Sequence, residues 1–101
     1  GKLDENWNAC STWNCLTGAC QIAIVGYRLA ALRDKSAFVE PCDRLLHFVK
    51  ATQRMTFDEP GYQGGIAGSF PILGAYMQGG FPNWATKYYI DALMLQDAAS
   101  R

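Results

Sequence analysis

Charge is missing from a long stretch of this chain. Residues 60–86, PGYQGGIAGSFPILGAYMQGGFPNWAT, run for 27 positions without one charged side chain. Over the whole chain, nine basic residues balance nine acidic ones, and that neutrality excludes the basic footprint of a nucleic-acid binder. No apolar run approaches the roughly 18 residues that a membrane span needs. No run alternates apolar and polar residues in the manner of a half-buried strand, so strands are not expected. Histidine occurs once, at His47, between Leu46 and Phe48 in a helical pattern. A lone histidine with no evident carboxylate or cysteine partner reads as structural before it reads as a general base or a metal ligand.

Cys10, Cys15, Cys20 and Cys42 are the only cysteines. Zinc sites pair ligands two to four residues apart, and the C-x4-C-x4-C spacing here does not match. On a helix Cys15 and Cys20 would sit about 140° apart. The polar start GKLDENWN is not a secretory signal, so a disulfide framework has no support and a cytoplasmic location is expected. The thiols are read as small buried hydrophobes, with no metal and no cofactor. Gly1 at one end and Ser100-Arg101 at the other fit a segment cut from a longer chain as well as a whole one.

What is present is helical. Residues 17–33, TGACQIAIVGYRLAALR, carry Ile22, Val25, Leu29 and Leu32 at three- and four-residue spacing, one apolar stripe. Gly26 within it costs about 1 kcal/mol relative to alanine, and a close helix–helix approach would offset that. Asp34-Lys35-Ser36 reads as a turn, with Ser36 a candidate N-cap. A second helix from about 37 to 53 or 54 has the stripe Phe38, Cys42, Leu45, Leu46 and Val49. Pro41 is tolerated only in a first turn, which would start that helix near Glu40. Two helices joined so tightly form an antiparallel αα-hairpin. A third helix opens at Pro82-Asn83, with Asn83 as N-cap and Trp84, Tyr88 and Leu95 along one face. Upstream, 1–14 read as a loop or a frayed helix that brings Trp7 and Trp13 onto the hairpin. The expected organisation is one small all-α domain: 1–14 irregular, 15–56 a hairpin, 57–82 a loop, 83–97 a C-terminal helix.

The loop is unusual in composition. Residues 60–86 hold seven of ten glycines, three of four prolines, and Tyr62, Phe70, Tyr76, Phe81 and Trp84. Disordered segments are polar and poor in aromatics, so an ordered glycine-rich loop on a helical scaffold is expected. Gly64, Gly65 and Gly68 lack the strand–turn–helix setting of a phosphate loop and read as tight backbone turns.

The pieces CLTGACQIAIVGYRLAALRDKSAF, LLHFVKATQ and GGIAGSFPILGAYMQGGFPNWATKYYIDALM resemble the last helical hairpins of α/α-toroid proteins, the six-hairpin-glycosidase and terpenoid-cyclase-like architecture. More narrowly they are similar to toroid-like proteins associated with bacterial exopolysaccharide biosynthesis. The resemblance spans about residues 15–95, and its GGI-GSFP and PNWA-K-DALM segments are its more specific parts. It implies a partial α/α-toroid of antiparallel hairpins and a role in polysaccharide metabolism, but it supplies no reaction. A full toroid needs about a dozen helices and this chain has three or four. The faces left uncovered imply self-association or a partner chain.

Candidate ligand contacts follow from the loop. Tyr62, Gln63, Tyr76, Gln78, Asn83 and Trp84, with Asp91 beside them, combine apolar platforms and amides suited to a neutral polysaccharide or oligosaccharide. The rival reading is that the rings fill the core between hairpins, Trp84 foremost. Glycoside hydrolysis needs two carboxylates roughly 5–9.5 Å apart. Asp58 and Glu59 are adjacent and diverge, and Asp91 has Lys87 four residues before it. Three functions therefore stand at this stage: glycan contact by residues 61–84, a fragment of a carbohydrate-active toroid enzyme (hydrolase or lyase), and a structural or protein-interaction module. A lyase would want cations near its acidic sugar, and the loop has none. The absence of an Asp-rich motif weakens a terpene cyclase.

Overall fold

The computed structural model describes residues 2–33, 35–53 and 64–100. Its elements run β1 (Asn14–Cys15), α1 (Leu16–Leu32), α2 (Lys35–Thr52), β2 (Ser69–Phe70) and α3 (Asn83–Ala99). The architecture is mostly helical. The helix α1 packs against both α2 and α3, which meet each other over a shorter seam. The α1–α2 unit is a hairpin: only residues 33 and 34 separate Leu32 from Lys35, and the two helices fold back on each other where Gly26 abuts Cys42 and Tyr27 bonds Asp43.

The core is built from Leu16, Cys20, Ala23 and Tyr27 of α1, Cys42, Leu46 and Val49 of α2, and Ala85, Tyr89 and Ala92 of α3, closed by Ile66 and Ala67. Small residues dominate the α1 and α3 contributions, which lets the helix axes approach closely. A β-carbon on Gly26 would collide with Cys42 Sγ, so the glycine's helical cost is met by the close approach its position suggests.

Several expectations are corrected. The α1 stripe does not face the core: Ile22 is 65 %, Val25 57 %, Leu29 37 % and Leu32 80 % exposed. The packed face lies on the opposite side, where Cys20, Ala23, Gly26 and Ala30 are buried. The helix α2 starts at Lys35, not near Glu40, and carries Pro41 inside it. Pro41 and Ala37 are both exposed, so the missing proline donor falls on the solvent side of the helix. Asn83 is the first residue of α3 and not its cap; Pro82 holds the cap position with no side-chain bond. Trp84 is 42 % exposed, so it is not core. Trp7 is exposed, and Trp13 packs on Gly74.

One short strand pairing does occur. β1 and β2 are antiparallel, with Asn14 opposite Phe70 and Cys15 opposite Ser69. Two residues per strand are too few to leave an alternation in sequence. The pairing continues into α1, whose Leu16 N–H donates to the Gly68 carbonyl at 3.0 Å. The Cys15 thiol accepts from Gly18 N–H at 3.3 Å and caps the helix.

Candidate functional site

Residues 64–82 connect α2 to α3 through their own hydrogen bonds. The Gln53 amide donates to the Gly64 carbonyl at 2.8 Å. Gly68 N–H donates to Gly80 O at 3.0 Å, Gly79 N–H to Ile72 O at 2.8 Å, and Gly74 N–H to Pro71 O at 2.9 Å. The buried Ser69 hydroxyl donates to the Tyr76 carbonyl at 2.5 Å. Phe70 meets Phe48 of α2 edge to face, ring centres 5.7 Å apart. No β-carbon fits at Gly68, where the Met77 β-carbon would lie 2.5 Å away, or at Gly74, pressed between Trp13 and Ser69.

Of the expected ligand contacts, Tyr76 and Trp84 come together. The Trp84 indole N–H donates to the Tyr76 hydroxyl at 2.8 Å, fixing a half-buried ring against a half-exposed one at the surface. Gln78 and Asn83 are exposed. Asp91 lies two helical turns beyond Trp84 and belongs to another groove, between α1 and α3, with Ile24, Arg28, Lys87, Met94 and Leu95. Its carboxylate accepts from Lys87 Nζ at 2.5 Å, and this bond holds the lysine above its usual range. Tyr62 and Gln63, like Asp58 and Glu59, lie outside the described residues.

A second constellation was not legible in advance. Asp43 Oδ1 on α2 accepts from the Tyr27 hydroxyl of α1 at 2.6 Å and from the Gln96 amide of α3 at 3.1 Å. One carboxylate oxygen therefore joins three helices. Burial first, then the bond to Asp43, pushes the Tyr27 phenol well above its ordinary value, so it remains a donor. His47 lies one turn on from Asp43 and lines the same groove with it. The available signal was an acidic residue between Cys42 and the apolar pair Leu45-Leu46; no pattern named Tyr27 or Gln96 as its donors.

The four cysteines are free thiols. Burial, with Cys15 adding to it, raises the Cys20 thiol to about 12, and burial likewise raises Cys42. The buried Thr17 hydroxyl has no partner among the described residues. Among those residues no group of three or more His, Cys, Asp or Glu side chains could hold a metal ion, and no helix is long and apolar enough to cross a membrane.

The outer side of α1 is apolar. Ile22, Val25, Leu29 and Leu32 form a ridge on the outer side of α1, and Met94 of α3 is exposed at the rim of the adjoining groove. Spacings of three and four residues make such a ridge the shape that seats in a groove between the side chains of another helix. No protein-family model matches the chain, and neither a curated protein nor a solved structure matches it.

Proposed function

We propose that this chain is a helix-docking unit of α/α-toroid type, serving polysaccharide biosynthesis or processing, with its glycine-rich loop held against the start of α1. The observation that carries the docking reading is the exposure of four large aliphatic side chains on the outer face of the central helix. Together with Met94 they offer on the order of 600 Å² of apolar surface, at the upper end of what a monomer leaves uncovered and near one partner's share of a stable interface. The occupant is a further helical hairpin, because a ridge at helical spacing complements a helix groove. The link to polysaccharides rests on the sequence resemblance.

Without its occupant the face associates with itself. Sedimentation of the chain over a wide concentration range is expected to show growing oligomers, and the dye ANS is expected to bind. The double substitution Val25→Glu, Leu29→Glu abolishes both and leaves the far-ultraviolet circular dichroism unchanged. A wild-type chain that stays monomeric and ignores the dye sinks the reading.

Glycan contact is a second reading, favoured by the bond between Trp84 and Tyr76, which orients two amphipathic rings as a surface platform. Titration with neutral oligosaccharides should change tryptophan fluorescence in the wild type and not in Trp84→Phe. A carbohydrate-active enzyme would in addition release reducing ends or unsaturated products. If fluorescence is unmoved by any of them, the two rings are structural.

A further inference from the structure

At the seam where α2 meets α3 lies a groove of about 320 Å³, lined by Asp43, Leu46, His47, Lys50, Leu93 and Gln96. We propose that it binds a small zwitterion with a methylene stem, the ammonium on the Asp43 carboxylate and the carboxylate on Lys50.

The acceptor end is preorganised. Asp43 Oδ1 is held by Tyr27 and Gln96 from two other helices, while its second oxygen has no hydrogen bond among the described residues. A carboxylate fixed by neutral donors keeps its charge uncompensated, and a ligand ammonium would complete it. The donor end stands on the same helix. Residues 43, 47 and 50 follow each other at four- and three-residue spacing, which puts the three side chains on one face. Lys50 has no ion-pair partner among the described residues, and its exposed stem can fold toward the groove. His47 lies between the two ends and offers a ring nitrogen to the ligand's carboxylate. The remaining walls are Leu46, almost wholly buried, and the half-buried Leu93. They suit methylenes and not further polar groups. Two turns of helix separate Asp43 from Lys50, about 10 Å along the axis, so the ligand's charges stand several bonds apart. An ω-amino acid meets these conditions, whereas an α-amino acid is too short.

The probe is 6-aminohexanoate, followed by NMR through the Gln96 side-chain amide and the His47 ring. Saturable shifts of both are expected. Hexanoate and hexylamine, each lacking one charge, should bind about tenfold more weakly or worse. Asp43→Asn keeps an oxygen for Tyr27 and Gln96 while removing the charge, and should weaken the zwitterion by a similar factor. Lys50→Met, on the exposed rim, should do the same without touching the helix junction. The proposal is overturned by absence of shifts with 6-aminohexanoate, by hexanoate binding as well as the zwitterion, or by undiminished affinity in a folded Lys50→Met chain.

Discussion

The two faces of α1 are built on opposite rules. The inner face carries Cys20, Ala23, Gly26 and Ala30, small side chains pressed against neighbouring helices. The outer face carries Ile22, Val25, Leu29 and Leu32, large side chains in contact with water. Hydrophobicity alone would have turned the helix the other way round. The difference teaches that closeness of approach selects the inner face. Small residues let two helix axes draw together, and the packing gained along the whole seam exceeds what four aliphatic side chains would gain on a more distant neighbour. The large residues are then left over, and such a remainder is what an interaction surface needs.

The sharpest way to break this contrast is to enlarge the inner face. Gly26→Val places two methyl groups where even a β-carbon meets Cys42 Sγ. It should destabilise the fold by about 2–3 kcal/mol in urea unfolding, because a packed seam cannot yield that volume. The reverse test trims the outer face: Leu32→Ser should change stability by less than about 0.5 kcal/mol, as expected of a side chain 80 % exposed. If the two effects come out equal, the helix packs the other way and the contrast is wrong.

Next in size is the polar seam on the inner side. Tyr27→Phe removes one of the two donors to Asp43 Oδ1 and should cost about 1–2 kcal/mol, read by thermal unfolding. An unchanged midpoint would mean that water replaces the phenol freely.

Acid–base behaviour separates the faces further. Burial pushes the Cys20 thiol up to about 12, against 9.0 for an ordinary thiol. A raised thiol favours the folded state below the ordinary value, and that contribution is lost as pH climbs from about 9 to about 12. Tyr27 and Tyr89, also raised chiefly by burial, act in the same direction. The melting temperature should therefore fall through that window. At neutral pH a thiol reagent should label exposed Cys10 readily and leave Cys20 untouched. Rapid labelling of Cys20 would show an inner face that opens.

The smallest effect belongs to the loop. Tyr76→Phe deletes an exposed hydrogen bond to Trp84 and should change stability by about 0.5 kcal/mol, visible mainly in Trp84 emission.

Much of the helical frame was legible. In α2 the stripe Cys42, Leu46 and Val49 marks the buried side, because the opposite side is charged. In α1 there is no such contrast. Two periodic sets, 22/25/29/32 and 16/20/23/27/30, share one helix, and spacing alone does not say which set meets the neighbours. Pro41 sits inside α2 for a local reason: it and Ala37 lie on the exposed side, where a carbonyl without its helical donor costs least. Among the ligand candidates, the Tyr76–Trp84 contact joins residues eight apart across the entry to α3, a geometry no composition encodes. The role of Asp43 has no local signature, because its partners come from residues 16 before it and 53 after it.

The bond from Gly68 N–H to Gly80 O has a consequence for length variation. It pins the two ends of residues 69–79 together, while Gly68 O receives the first N–H of α1. The excursion is thus closed at its neck, and its tip near exposed Leu73 hangs outside the helical frame. Extra residues spliced in there would lengthen a loop whose ends stay put. Doubling its length costs only about 0.6 kcal/mol of closure entropy. Relatives of this chain can therefore be expected to differ in size within residues 69–79 while their helices keep the same spacing.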